Sequence, residues 1–478
     1  MPKSIAKNSV YNIIYKSINV AFPLITAAYV SRILMAEGIG KVATSQNIVQ
    51  YFFLVAALGL PTYGVKAIAS AKNRKELNAT FSELFIVNCI STAICTILYY
   101  SMIYALPAFN ERILLFAISG IKIPFNIINI DWLYQGKEEY RYIMIRNIIV
   151  KLILFALIFV FVKTSEDYIT YALILVLATG INYIFNIVHS RKFVSFTTNN
   201  LKIRRHLKPV FALLAASISI EVYTLADTTM LSFIKGDVIV GYYSQSIKAI
   251  NVIKSLVTAI CAVFLPRLSY YNSIGDKERF NKLAESGIKI LLFISIPATI
   301  GVICLAHQIV FLLFGSDFYN SILSTRILSI SIISCALSNF IGYQILVTIG
   351  KERQMLLSTI LGAVTNVVLN IFFINLWSHN GAAIASVITE MIVTICQFLV
   401  IKELVPIKIE KKFFGSLFLS NFIMFCVILI CLNFFENYLV SIIICVVFGF
   451  ISYSMFNYIL RNEIVLTFVD KMLKIKKQ

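Results

Sequence analysis

Apolar residues run along this chain in long blocks, separated by short polar punctuation. A membrane-crossing helix needs about 20 mostly apolar residues. Blocks of that size lie at about 9–33, 41–63, 81–106, 112–131, 143–163, 167–190, 208–234, 238–265, 284–305, 322–349, 354–376, 381–401, 412–432 and 437–460. They predict an all-α integral membrane protein of about 14 transmembrane helices. No stretch reads as strand, and lipid tolerates no open sheet edge. The first block follows Lys3 and Lys7, as a signal peptide would, but it lacks a small-residue cleavage site and runs too long. It is read as the first span.

The connections alternate in charge. One set carries Lys66, Lys72, Arg74 and Lys75; Lys137 and Arg141; Arg191, Lys192, Lys202, Arg204 and Arg205; Arg267, Lys277, Arg279 and Lys282; Lys351 and Arg353; and Lys402, Lys408, Lys411 and Lys412. The other holds little beyond Glu37, Glu111, Lys163 with Glu166 and Asp167, Lys235 with Asp237, Asp317 and Glu436. The basic set is expected to be cytoplasmic. Lys3 and Lys7 at one end and Lys471, Lys474, Lys476 and Lys477 at the other place both termini inside, which requires an even number of spans.

The longest basic connection, 191–207, divides the first twelve helices into two sixes. The expected organisation is an N-terminal six-helix bundle over 1–190, a cytoplasmic basic linker over 191–207, a C-terminal six-helix bundle over 208–401, and helices 13 and 14 with a basic cytoplasmic tail over 402–478. A faint repeat supports the division. Gly40 and Gly241 open helices 2 and 8, and Leu60-Pro61 before Lys66 matches Leu265-Pro266 before Arg267. Paired halves are a habit of transporters.

Composition agrees. The 478 residues are 59% hydrophobic and 14% charged, with a mean hydropathy of +0.85, against about 25% charged in a soluble domain. The net charge of +19 would suggest nucleic acid. The basic residues sit between apolar runs instead, where membrane topology puts them, and no soluble domain remains to dock a duplex. The nine Cys lie in or beside apolar runs without CxxC or Cys/His clusters, so they read as small hydrophobes.

Ionisable groups inside a span cost about 2.5–3.5 kcal/mol each on insertion scales and usually face a cavity or a partner. At 1.5 Å rise per residue, Lys16 lies roughly 12 Å into helix 1, and Lys151 is similarly deep in helix 5. Lys122 is near the middle of helix 4, two residues before Pro124. In the second half, helix 7 carries Glu221 and Asp227, helix 8 carries Lys248 and Lys254, and helix 12 carries Glu390.

Polar residues recur at spacings of three and four, which places them on one face. Gln245, Lys248, Asn251, Ser255 and Thr258 do so on helix 8, and Ser386, Glu390, Thr394 and Gln397 on helix 12. Asn182, Asn186 and His189 do so on helix 6, Lys122, Asn126 and Asn129 on helix 4, and Asn366 and Asn370 on helix 11. Stripes on several helices imply a shared wet cavity between the two sixes.

Plainer readings stand beside this one. Lys16 and Lys151 can snorkel to the interface, and Arg146, closer to the surface, is expected to. Arg32 marks the outer interface or faces the cavity. Glu221 with Lys254, or Glu390 with Lys248, would make structural ion pairs. Asn and Ser stripes also glue helices together, and His189 reads as interfacial.

The segment from Asn8 to Ala71 resembles the polysaccharide biosynthesis, O-antigen flippase-like branch of the multidrug/oligosaccharidyl-lipid/polysaccharide exporter superfamily. The matching pieces are Pro23-Leu24-Ile25, Tyr29-Val30-Ser31-Arg32-Ile33-Leu34, Gly38-Ile39-Gly40, Gln50-Tyr51-Phe52 and Leu58-Gly59-Leu60. Trp132-Leu133-Tyr134-Gln135-Gly136, and Gly241-Tyr242-Tyr243 through Leu265-Pro266-Arg267-Leu268, are similar to the same family. Met35-Ala36 departs from the pattern, where the family generally has a Gly; the expected consequence is local loop shape.

The resemblance implies two six-helix bundles around a V-shaped central cavity, alternating access, and an undecaprenyl-diphosphate-linked oligosaccharide as substrate in the cytoplasmic (inner) membrane. Bare charge does not cross hydrocarbon, whereas a polyprenyl tail can stay in it. Lys16, Lys122, Lys151, Lys248, Lys254 and Arg32 are the candidates to neutralise the diphosphate. Asn126, Asn182, Gln245, Asn251 and Asn366 are the candidates to face the sugars. Glu221, Asp227 and Glu390 are candidates for charge pairing or for binding a coupling H⁺ or Na⁺; no other cofactor and no metal is expected. Membrane lipids surround the protein, and a polysaccharide polymerase and glycosyltransferases are candidate partners.

The rival within the same fold is a cation-coupled multidrug or small-molecule exporter. That would call for deep carboxylates in the first half, where the sequence shows cations instead. An enzyme is not expected, because the outer loops are short, the four His are scattered, and no Walker motif occurs.

Overall fold

The structure, a computed structural model, describes residues 5–199, 201–406 and 410–467, with side chains described from Phe22 onward except at 216, 219, 220, 222 and 223. The described chain is almost entirely helical, and no strand occurs in it. Among the described residues, eleven helices are long and apolar enough to cross a membrane. Two of these are helix pairs running on through a single non-helical residue, at Met35 in α1 (Ile5–Ala57) and at Ser378 in α14 (Glu352–Lys402). With α9 (Arg204–Lys235, 32 residues), they accommodate the fourteen predicted segments.

Contacts divide the chain after Gly241, so that α9 belongs to the first unit instead of opening the second at residue 208. The first unit contains α1, α2 (Leu60–Ala69), α3 (Arg74–Ala105), α4 (Ile113–Gly120), α5 (Lys122–Phe125), α6 (Asp131–Gly136), α7 (Tyr140–Phe161), α8 (Tyr168–Ser190) and α9. Its turns show why certain glycines stand where they do. Gly59 caps α2 with φ 80°, a conformation that glycine adopts without steric cost. A Cβ on Gly40 would lie 1.7 Å from the Asp237 carbonyl oxygen, and one on Gly241 would lie 2.0 Å from that of Ala36. The two repeat glycines thus mark one close backbone crossing.

Trp132, Leu133 and Tyr134 are almost wholly buried with Leu60, Ile68 and Leu84. Gly64 lies against the Trp132 ring and Gly136 against Ile68. The Trp-Leu-Tyr-Gln-Gly motif is therefore the seam between α2 and α6. The connector before α9 is tied to α3 through Glu83, which is 1% exposed. Its carboxylate accepts from Arg205 Nη2 at 2.6 Å and Nε at 3.0 Å, from the Lys202 backbone N–H at 2.6 Å, and sits 2.6 Å from His206 Nε2.

The second unit contains α10 (Asp237–Ser273) from Tyr242 onward, α11 (Lys277–Leu313), α12 (Ser321–Ser329), α13 (Ser331–Asn339), α14, α15 (Lys411–Leu432) and α16 (Tyr438–Ile459). A π-helical turn, Phe340–Leu346, extends α13. Gly381 follows the Ser378 bend at a point where a Cβ would sit 1.9 Å from the Phe373 carbonyl oxygen, so the hairpin closes on glycine. Helices α15 and α16 pack against α11 through Leu305, Phe413, Leu417, Met424, Ile428 and Tyr453. Tyr453 Oη donates to the Phe293 carbonyl at 2.8 Å. This unit exposes large apolar side chains such as Phe418, Val263 and Phe450, a surface suited to lipid and costly in water. All nine cysteines are free.

Candidate functional site

Helix 4 of the sequence reading is not continuous. It is α4, α5, a 3₁₀ turn at Asn126–Ile128, extended backbone at Asn129, and α6. Pro124 removes a backbone donor at the break, and polar side chains take over. Asn126, 1% exposed, donates to Asn88 Oδ1 and Thr92 Oγ1, both at 2.9 Å, and its Oδ1 accepts from Asn129 at 3.0 Å. Asn88 donates to the Asn126 carbonyl at 2.6 Å. The Asn126 amide is thus committed within the bundle.

Lys122 opens α5. Its Nζ donates to Gln50 Oε1 at 2.9 Å and lies 4.9 Å from the centroid of the Phe53 ring. Both partners are neutral. Glu221 on α9 acts on this charge only at longer range. Lys151 on α7 rests over Phe22, 5.4 Å from the ring centroid. Arg32 is exposed and donates to the Ala28 carbonyl at 2.8 Å. The side chain of Lys16 lies outside the described residues.

The expectation that Arg146 snorkels fails. It is 6% exposed, pairs with Asp131 at 2.9 Å, and also bonds Asn186. The broken helix delivers Asp131 to it, which a continuous helix ending at 131 would not do. Glu83 and Asp131 were missed in the sequence because each stands near the end of an apolar block; the basic Arg205–His206 pair and Arg146 were the signals opposite them, and His206 and Arg146 are buried. Asn182 donates to the Ala178 carbonyl at 3.1 Å, and its Oδ1 is buried without a partner. Asp227 is 3% exposed, and Glu221 is half-buried.

In the second unit, Lys254 and Glu390 stand 3.5 Å apart, with side chains 18% and 14% exposed. The pairing of Glu390 with Lys248, one alternative in the sequence, therefore does not form. Lys248 is half-buried one turn and a half away on α10, and no salt bridge reaches it or Lys122 among the described residues. Gln245 is fully buried and Asn251 exposed. Asn366 is fully buried and accepts from Asn370 at 3.0 Å. Beside the α10 stripe, Ser246 acts as helix glue to α12, bonding Ser324 at 2.8 Å and Thr325 at 3.1 Å. Tyr243 meets Ser386 at 3.0 Å. Among the described residues no three His, Cys, Asp or Glu side chains cluster as a metal site.

These features define a multi-pass, all-helical membrane protein with charged groups held inside its spans. Over 96% of this chain the fold matches a structure described as "Lipid II flippase MurJ, inward closed conformation", covering all of that chain at TM-score 0.79 and 16% identity. A multidrug resistance MATE family transporter in its inward-facing conformation matches at TM-score 0.67 and 16% identity, over 80% of this chain and 94% of that one. The chain belongs to the family described as Polysaccharide biosynthesis protein, which matches residues 5–272; a second family, MatE, matches residues 212–372. A relative from Escherichia coli (strain K12), named "Putative O-antigen transporter", is 24% identical over 395 residues, which is 82% of this chain and 95% of the relative.

Proposed function

We propose that this protein is a flippase moving an undecaprenyl-diphosphate-linked oligosaccharide repeat unit from the cytoplasmic to the outer leaflet of the cytoplasmic membrane, by alternating access. The observation carrying this reading is Lys122, a cation within an apolar span whose near partners, Gln50 and Phe53, are neutral. Such a charge costs free energy in an empty protein, and an anionic headgroup would offset that cost. Lys248 has the same character in the second unit. Lys254 contributes less, because Glu390 already matches its charge. Family membership and relatives whose names describe O-antigen transport and lipid II flipping support the same substrate class.

With the basic loops inside, a membrane potential negative inside favours outward movement of an anion by about 2.3 kcal/mol per charge per 100 mV. Glu221, Asp227 and Glu390 are the groups that would bind H⁺ or Na⁺ if the cycle is ion-coupled. Transport at fixed potential with both gradients collapsed decides this, and undiminished flux removes coupling from the account.

The MatE match over 212–372 keeps a cation-coupled exporter as the second reading. Purified full-length protein in liposomes separates the two. Lipid-linked oligosaccharide extracted from the host should cross to the opposite leaflet, while an organic cation such as ethidium should not. Ethidium export without lipid translocation would overturn the proposal.

A further inference from the structure

The second unit carries a cleft of about 350 Å³ that none of the candidate residues above lines. It lies where α11 ends, α12 begins and α14 bends at Ser378, remote from the basic residues at the starts of α11 and α14, Lys277 and Lys351. His307, Tyr319, Asn320, Arg326, His379 and Asn380 form its polar wall. In the orientation proposed above, this is the outer face.

Three features mark it as built for a ligand. First, His379 is 7% exposed and its Nε2 lies 2.9 Å from the Asn320 carbonyl oxygen. A carbonyl only accepts, so Nε2 carries the hydrogen and Nδ1 of the neutral ring is an acceptor. That Nδ1, and Oδ1 of the neighbouring Asn380, are buried without partners. Buried polar atoms in that condition call for donors, which the hydroxyls of a polyol can supply.

Second, Arg326 fixes its Nε on the Ile303 carbonyl at 3.2 Å. This holds the planar guanidinium in place, and no carboxylate lines the cleft among the described residues. The arrangement suits a carboxylate on the ligand. Third, the wall is aromatic on one side. His307 stacks on Phe311 with ring centroids 4.4 Å apart and meets Tyr438 edge-on at 5.7 Å, while Tyr319 is largely exposed. Flat faces with polar rims suit a pyranose ring. The volume is at the small end of ligand sites, enough for one or two sugar units.

We propose that this cleft binds an acidic saccharide, a pyranose bearing a carboxylate. Only the source of that sugar, the exported glycan, rests on the flippase reading.

Saturation-transfer NMR on full-length protein in detergent tests it, with methyl β-D-glucuronide, methyl β-D-glucoside and inorganic phosphate as probes. The glucuronide should bind saturably, about tenfold or more tighter than the glucoside, as a charged hydrogen bond implies. Arg326→Gln should reduce the two to equal affinity, and Asn380→Ala should weaken both. Absence of saturable binding of either glycoside to the wild type overturns the proposal. So does wild-type affinity in both variants, or displacement of the glucuronide by phosphate at equal concentration, which would leave a simple anion site. Binding is read without transport, so failure here and failure of the flippase assay are separate results.

Discussion

Replacing Lys254 or Glu390 removes one member of an ion pair held inside the second unit. The two groups are 3.5 Å apart, a separation at which unit charges attract by about 5 kcal/mol at an effective dielectric constant of roughly 20. Desolvation offsets much of that in the pair, but removing one partner leaves the other charge buried and uncompensated, which costs about 3–5 kcal/mol. Both side chains are less than one-fifth exposed, so solvent screening relieves little of this. Thermal unfolding of the purified protein in detergent should therefore place Lys254→Gln and Glu390→Gln well below the wild type. The double variant should melt above either single one, because neither charge is then stranded. A double variant whose loss equals the sum of the singles would refute the pairing. The same three proteins sort the function of Glu390. If the pair is structural, the double variant transports; if Glu390 binds a coupling ion, the double variant inserts normally and is inactive.

Met35 has φ 56° and ψ −175°, a region that costs a residue with a side chain about 1–3 kcal/mol. Met35→Gly should raise the melting temperature after about 0.4–1 kcal/mol is returned to the unfolded chain, and Met35→Ala should not; equal gains from both would remove the strain argument. Gly40→Ala drives a Cβ to 1.7 Å from the Asp237 carbonyl oxygen and should cost about 3 kcal/mol or more, seen as lost folded yield. Gly301→Ala, inside α11 with open space around it, should match or exceed the wild-type yield. Glu83→Gln weakens charged hydrogen bonds to Arg205 and His206, worth about 1.5–3 kcal/mol each. Limited trypsin digestion at the basic connector 191–205 should speed up, and an unchanged rate would mean that Glu83 does not anchor it.

The helical architecture was readable because lipid imposes a length on every span, and short loops between apolar blocks leave few alternatives. The Met35 departure from the family pattern was visible too, and its effect is now physical: a side chain occupies backbone geometry that suits glycine. Side-chain partners were harder to read. A continuous helix 4 hid the turn at Asn126–Ile128, and with it the Asp131–Arg146–Asn186 cluster. Spacing put Lys248, Ser255 and Glu390 on polar faces, but choosing Lys254 as the partner of Glu390 depends on helix rotation, which periodicity does not specify. The assignment of α9 to the first unit likewise turns on long-range bonds, such as Asn47 Nδ2 to the Leu225 carbonyl at 2.9 Å.

Lys122 and Lys248 carry the central claim, because each presents a cation that no carboxylate matches at close range. The direct test is lipid-linked oligosaccharide translocation by Lys122→Gln and Lys248→Gln in liposomes, at equal inserted protein. The account predicts that each variant loses at least about tenfold in rate, as removal of one charged hydrogen bond implies, and that Lys→Arg at the same positions retains more activity than Lys→Gln. Wild-type rates in both Gln variants would contradict it.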